Sequence, residues 1–368
     1  MASITKRGKT WQYTVSRMVG GKSKPIRKGG FKTKKEATVA AAEVEADLQK
    51  GIVPHLRVEP LDEYFREWLK IYKTDVADVT LKRYNDTLRA IIDYFGSKPI
   101  QDISKREYQA FLNEYGRTHA KETTRKLNIH IRACVREAID EGIIRIDFTR
   151  GAVITGSVEA KRPEEKHLSY FDSKRLLKEL YKRLDRSLGY YVLLLGLTSG
   201  MRFAEMIGLT KKDFDFKSNE IKITKTWNYK KGTGFAKTKN DPSNRTIKLD
   251  SKTMGVFAEY FKSAPDNISG LVFFSPNSKN KVITNENVNK LLRNTLKDLN
   301  IDPITIHGLR HTHASVLLYK KVSIYYVSER LGHADIDTTL KHYAHVIKEL
   351  RIEDTKTAIK TFEEMVVV

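Results

Sequence analysis

Four short islands in the second half of this sequence carry residue types suited to handling a phosphate. The first is Thr198-Ser199-Gly200-Met201-Arg202-Phe203-Ala204-Glu205-Met206. It reads as a buried helix ending at a turn where a new helix starts, which puts Arg202 near a helix N-terminus, a favourable place for an anion. The second, His307-Gly308-Leu309-Arg310-His311-Thr312-His313-Ala314, sets His307 and Arg310 one helical turn apart, so both can point at one target. The third is Leu331-Gly332-His333, with a glycine turn just before the His, and the fourth is His342-Tyr343-Ala344-His345. Taken singly, each has a plain structural reading: an Arg after a turn is commonly a surface ion-pair partner, a His a satisfied buried donor, a Tyr part of a core. Accident does not explain all of them in one stretch. A metal reading competes, because His307 and His311 have the i, i+4 spacing of a zinc pair. Gly308 stands where a metalloprotease carries Glu, however, and Arg310 between the two would repel a cation. His311, His313, His342 and His345 therefore read as packing or hydrogen-bonding residues.

The elements that must hold these islands are mostly helical. The apolar run Tyr190-Tyr191-Val192-Leu193-Leu194-Leu195-Gly196-Leu197 predicts a buried helix and is too short to span a bilayer. Three β-rich stretches follow: Glu220 to Trp227, Gly234-Phe235-Ala236-Lys237-Thr238, and Arg245-Thr246-Ile247-Lys248-Leu249. They predict a small antiparallel sheet on a largely helical domain. Upstream, from about 58 to 155, Leu61, Tyr64, Phe65, Trp68, Leu69 and Tyr72 recur at helical spacing, as do Tyr84, Leu88, Ile91, Ile92 and Phe95. Phe111 and Leu112 mark a third helix and Leu127, Ile131, Val135 and Ile139 a fourth, so a compact bundle of about four helices is expected. The first segment opens with the alternating Thr10-Trp11-Gln12-Tyr13-Thr14-Val15-Ser16-Arg17, a Gly20-Gly21 turn and an extended Lys24-Pro25-Ile26-Arg27-Lys28. Thr33-Lys34-Lys35-Glu36 is a capping signature before an Ala-rich helix running to about Gln49. A three-stranded sheet with one helix results, and its basic strands are either a DNA-binding surface or a solvated face. Linkers are expected at 51–54 and 158–163.

Composition narrows the partner. The 368 residues suffice for two or three domains, and 67 Lys and Arg against 45 Asp and Glu give a formal charge of +22. That excess is spread along the chain and implies a polyanion, with nucleic acid first and a membrane surface second. No basic amphipathic anchor is evident, and Met1-Ala2-Ser3-Ile4-Thr5-Lys6 lacks the apolar region of a secretory signal. Cys134, the single cysteine, excludes an intramolecular disulfide, fits a reducing cytosol and reads as a small core residue.

Together the islands resemble the tyrosine recombinase (phage integrase) family, whose signature is an early Arg, a His-x-x-Arg pair, a Leu-Gly-His and a Tyr nucleophile. Carried over by matching positions, the resemblance implies an active site of Arg202, His307, Arg310, His333 and Tyr343. The family's remaining member is a Lys on a β-hairpin. Ala236-Lys237-Thr238 before Asn244-Arg245-Thr246-Ile247 matches that context best, making Lys237 the candidate with Lys239 as the alternative. The implied fold is multidomain. Residues 1–55 form a small α+β arm-type DNA-binding domain of three strands and a helix, 58–157 an all-α core-site-binding bundle, and 165–368 a mainly α catalytic domain with a small antiparallel sheet.

The chemistry follows from the residue types. A Tyr hydroxyl can break a phosphodiester by forming a covalent phosphodiester of its own, and the retained ester energy lets the strand be rejoined without ATP. Arg202 and Arg310 can clamp nonbridging oxygens with charge-assisted, bidentate bonds, and a Lys can protonate the departing 5′ oxygen. The resemblance further implies that His307 positions or deprotonates Tyr343 and that His333 bonds a nonbridging oxygen. No metal or other cofactor is required. A type IB topoisomerase is the nearest chemical relative, and a DNA-binding regulator without catalysis is the reading from another class. The implied partners are double-stranded DNA at core and arm-type sites, further copies in a homotetramer, a directionality factor (excisionase) and a host DNA-bending protein, with no membrane and a cytoplasmic location. The tail through Ile347, Leu350, Ile359 and Phe362 to Val366-Val367-Val368 is expected to pack in cis or to dock on a neighbouring subunit.

Overall fold

The alternation Thr10–Val15 sends Tyr13 and Val15 to one face of a strand, where they are buried against Ala41 and Val44. In the computed structural model the described residues are 2–19, 22–49, 58–159, 162, 164–238, 240–340, 343, 355, 359, 360, 363 and 364. The Gly20-Gly21 turn, the linker at 51–54, part of the second linker, Lys239, His342, His345 and the tail positions Ile347, Leu350, Phe362 and 366–368 lie outside them. The chain divides into two compact units, 1–160 and 161–368.

In the first unit β1 (Ser3–Arg7), β2 (Thr10–Val15) and β5 (Ile26–Phe31) form an antiparallel sheet in the order β1-β2-β5, with a short hairpin of β3 (Met18–Val19) and β4 (Lys22–Ser23) between them. β1 pairs Ser3 with Thr14 and Arg7 with Thr10. It lacks a readable pattern because only Ile4 is apolar, as an edge strand permits. Helix α1 (Lys34–Gln49) starts where Thr33 Oγ1 accepts from the Glu36 amide at 3.2 Å and Glu36 Oε2 accepts from the Lys32 amide at 3.0 Å. Lys6, Arg7, Arg27 and Lys28 on the sheet's strands are exposed.

The same unit holds α2 (Leu61–Tyr72), α3 (Asp78–Phe95), α4 (Lys105–Thr118) and α5 (Lys121–Asp140). Their stripes meet in one core of Phe65, Trp68, Ile91, Phe111, Leu112 and Ile131. Two residues of the expected stripe, Tyr72 and Ile92, are exposed instead; each sits at the margin of its helix's apolar face, and the Tyr72 hydroxyl donates to Glu141 at 3.4 Å. Cys134 is fully buried, and burial pushes its thiol well up, so it is an inert core residue.

The second unit is built round α7 (Leu188–Ser199), apolar on every side and buried nearly throughout. It is surrounded by α6 (Tyr170–Lys182), α9 (Ser251–Ser263), α10 (Asn285–Asp298) and α11 (Ile306–Tyr319). The one-turn α8 (Phe203–Ile207) follows α7, and α12 (Ile324–Leu331) follows α11. The β region differs from the single sheet expected. Strands β6 (Phe214–Asp215), β7 (Glu220–Ile223) and β10 (Arg245–Lys248) form one sheet, while β8 (Thr226–Trp227) and β9 (Phe235–Ala236) form a separate hairpin. The run 220–227 breaks at Lys225, whose Nζ donates to Asp213 Oδ1 at 2.6 Å, and Trp227 then buries itself beyond the break. Among the described residues no helix is long and apolar enough to cross a membrane.

Candidate active site

Helix α11 supplies the centre of the site. Thr305 caps it, its Oγ1 accepting from the Gly308 amide at 3.2 Å. Successive residues then face different surroundings: His307 is exposed, Arg310 is 3% exposed and His311 is half-buried. Arg310 Nη1 donates to the Gly200 carbonyl at 2.9 Å. Gly200 closes α7 in the left-handed region at φ 69°, and a Cβ there would fall 2.7 Å from His313 Cδ2 and 2.9 Å from Leu331 Cδ2. Both the backbone and the space demand glycine. Gly200→Ala is expected to cost about 2–4 kcal/mol, lowering the thermal midpoint by roughly 4 °C or more in a melt followed by circular dichroism.

Beside Arg310 lies a buried charge cluster. Arg202 is the N-cap of α8, and its backbone amide donates to Glu205 Oε2 at 2.9 Å. Its guanidinium donates from Nη1 to Glu205 Oε1 at 2.7 Å and Ser243 Oγ at 3.2 Å, and from Nη2 to the Gly332 carbonyl at 3.1 Å. Arg245 Nη2 reaches Glu205 Oε2 at 3.0 Å, and its Nε donates to the Arg330 carbonyl at 2.7 Å. Burial pushes the Glu205 carboxyl up, but Arg245 and Arg202 pull it further down, so it is held below the usual carboxylate range. Burial, and then the neighbouring Arg202, push the Arg310 pKa down. Two guanidiniums thus share the Glu205 carboxylate, with Arg310 in their electrostatic neighbourhood, and Arg310 Nη2 is buried with no hydrogen-bond partner among the described residues. An orphaned donor among cationic side chains fits a site built for an anion.

The remaining candidates arrive from α12 and beyond. Gly332 ends α12 in the left-handed region at φ 68°, which delivers its carbonyl to Arg202 and places His333 next. His333 Nδ1 is 2.7 Å from Thr339 Oγ1. Tyr343 is 1% exposed, packed with Ala314, Leu318, Val327 and Leu331, and its hydroxyl is 2.9 Å from His311 Nδ1. Burial pushes this phenol up, and Arg310 opposes the shift only in part. The His307 ring stands edge-on to His311 with centroids 4.8 Å apart. Lys237 is exposed just past β9, and its side chain makes no hydrogen bond to these groups. Arg202, Arg310 and Tyr343 are therefore electrostatic neighbours, His333 follows the Gly332 whose carbonyl holds Arg202, His307 stands against His311, and Lys237 lies just past the β8–β9 hairpin. His313 serves the scaffold: Nδ1 donates to the Leu197 carbonyl at 2.9 Å, Nε2 accepts from Arg330 at 3.0 Å, and burial lowers its pKa to about 3. Among the described residues no three His, Cys, Asp or Glu side chains gather as a metal site.

Residues 166–349, half of the chain, match the phage integrase family. The chain belongs to that family. Its second unit is the catalytic domain of a tyrosine recombinase. Upstream, residues 2–48 match an arm DNA-binding domain and residues 61–115 the N-terminal SAM-like domain of phage integrases. The XerC-like tyrosine recombinase of Caldanaerobacter subterraneus subsp. tengcongensis is 27% identical over 96% of this chain and 97% of its own length. The integrase of Staphylococcus phage L54a is 25% identical over 77% of this chain and 88% of its own. Among solved structures, the integrase of transposon Tn1549 in complex with a circular intermediate DNA shares the fold at a TM-score of 0.67 and 20% identity, covering 81% of this chain and 99% of that one.

Within this integrase-family site, Glu205 and Arg245 carried no role from sequence, and His311 was read only as a packing or hydrogen-bonding residue. Glu205 at the third helical position was a usable signal, since a Glu there commonly accepts from the N-cap amide, as it does from Arg202. Arg245 could be read only as part of a strand, because its partner lies 40 positions away. His311 is separated by 32 positions from the phenol it touches, a pairing that no local pattern reveals.

Proposed function

We propose that this recombinase is a site-specific integrase that cuts and rejoins double-stranded DNA through a 3′-phosphotyrosyl link at Tyr343. The observation that carries the reading is the unpaired Nη2 of buried Arg310, set beside Arg202 and the phenol of Tyr343. A scissile phosphate entering there satisfies Arg310, offsets the excess of guanidinium charge and comes within reach of the hydroxyl. Arg202 and Arg310 then hold the nonbridging oxygens as charge builds on them, each donor contributing about 3–4 kcal/mol to the barrier lowering. His333 adds a further bond to the phosphate, His307 borders the site, and Lys237, carried in on its hairpin, protonates the departing 5′ oxygen.

The upstream segments divide the labour of DNA binding in this reading. The basic sheet of residues 2–48 takes arm-type sites, and the helical bundle takes the core site with the catalytic domain. Recombination cleaves four strands, so the working form is a homotetramer on paired duplexes. A directionality factor (excisionase) and a host DNA-bending protein complete the assembly, in the bacterial cytoplasm. The element served is a phage or another mobile element, a reading supported by the relatives from Staphylococcus phage L54a and transposon Tn1549.

The test begins by sequencing the junctions formed when the gene is induced, which supplies the core site. A nicked suicide substrate of that sequence should then trap a covalent protein–DNA adduct, in equal yield with and without EDTA. Binding without any adduct would leave only a basic DNA binder; loss of the adduct in EDTA would overturn the metal-free mechanism.

A further inference from the structure

The hydrogen bond of the Tyr343 hydroxyl raises a question of proton transfer that the guanidiniums cannot answer. A phenol that attacks phosphorus must shed its proton as the new bond forms, and burial of Tyr343 makes spontaneous ionisation harder than in water. Arg310 and Arg202 have no lone pair to accept it. His333 Nδ1 is engaged with Thr339 Oγ1. The acceptor placed on the phenol is His311 Nδ1, at 2.9 Å. Its helix neighbour Arg310 turns the other way, into the Gly200 carbonyl, so one peptide unit rigidly links the anion-binding guanidinium to the group on the nucleophile. His307, one turn earlier, braces the His311 ring edge-on at 4.8 Å.

We propose that His311 is a further catalytic residue, the base that takes the phenolic proton of Tyr343 through Nδ1. The proposal rests on the reading of Tyr343 as nucleophile. With Nδ1 as acceptor, the neutral ring carries its own proton on Nε2. As the Tyr343 Oη–P bond forms, the phenolic proton moves to His311 Nδ1, the P–O5′ bond breaks, and the departing oxygen takes a proton from Lys237. Religation runs the same transfers backward, His311 returning its proton to the phenol. No oxidant, reductant or metal enters the balance.

Single-turnover cleavage by the full chain on the suicide substrate tests this. His311→Ala should cleave about 10²-fold more slowly or worse while still shifting DNA in a gel. His311→Asn keeps an acceptor oxygen for the hydroxyl but cannot hold a proton at neutral pH, so it should stay close to the Ala variant. A substrate with sulfur in place of the bridging 5′ oxygen needs no protonation of its leaving group. On it Lys237→Ala should recover toward the wild-type rate and His311→Ala should not. Wild-type rates in His311→Asn would reduce His311 to a positioning residue, and recovery of His311→Ala on the sulfur substrate would move it to the leaving-group side; either overturns the proposal. An adduct formed by Tyr343→Phe in the same assay would instead overturn the nucleophile assignment beneath it.

Discussion

Tyr343→Phe should reduce covalent attachment to DNA by about 10⁴-fold or more, to the detection floor of a denaturing gel. Among the described residues no other side chain sits where the phenol does: Tyr343 is packed against Ala314, Val327 and Leu331 with its hydroxyl on His311. The ring of Phe fills the same apolar seat, and losing the hydrogen bond to His311 costs about 1 kcal/mol. DNA affinity and the thermal midpoint should stay near those of the parent chain, which separates lost chemistry from lost structure. The same geometry predicts how mixtures behave. In the proposed site His311, Arg310 and Tyr343 come together within one chain, so each site is expected to carry its own nucleophile. Mixing Tyr343→Phe with Arg310→Ala should therefore restore no adduct, because neither chain has both parts. Adduct formation in the mixture would show that the phenol crosses to a neighbouring subunit when DNA is bound.

The residues proposed to do chemistry were more legible in the sequence than the residues that hold them. Arg202, Arg310, His333 and Tyr343 stand in short motifs whose local turns, the glycines at 200 and 332, are themselves visible. The helical stripes were legible for the same reason that they fold: Phe65, Trp68, Ile91 and Ile131 recur at the period that one apolar face requires. Tyr72 and Ile92 fit that period and are nonetheless exposed, since a stripe defines a direction and only the neighbouring helices decide how wide a face is covered. Strands were read less well. Ser3–Arg7 and Phe214–Asp215 bury little and so carry little pattern, and the break at Lys225 depends on Asp213 twelve positions earlier. Long-range polar pairs such as Glu205 with Arg245 and His311 with Tyr343 escape reading altogether, because a single charge or ring has no periodicity to betray its partner.

Glu205 carries the second large effect, through stability and catalysis together. Its carboxylate is 1% exposed and bridges Arg202 and Arg245, the latter also deeply buried. Replacing it by Ala leaves the Arg245 charge buried and unpaired, at a cost of about 3–5 kcal/mol. Glu205→Gln should be nearly as damaging, because its amide NH₂ would confront one guanidinium with a donor where an acceptor stood. Cleavage should fall as well, since Arg202 then loses the 2.7 Å bond that fixes its Nη1. The pH dependence follows from the sign of the shift. The folded-state pKa of Glu205 lies below its unfolded value, so its stabilisation is complete above the unfolded carboxylate range, near about 4.3, and is lost as pH falls through the depressed folded value. Urea melts from pH 7 downward should therefore show a parent chain that loses its advantage over Glu205→Gln only at acid pH, the two curves converging there. Equal stability of the two at pH 7 would mean that the two arginines draw their compensation from elsewhere, and that the carboxylate does not set the clamp.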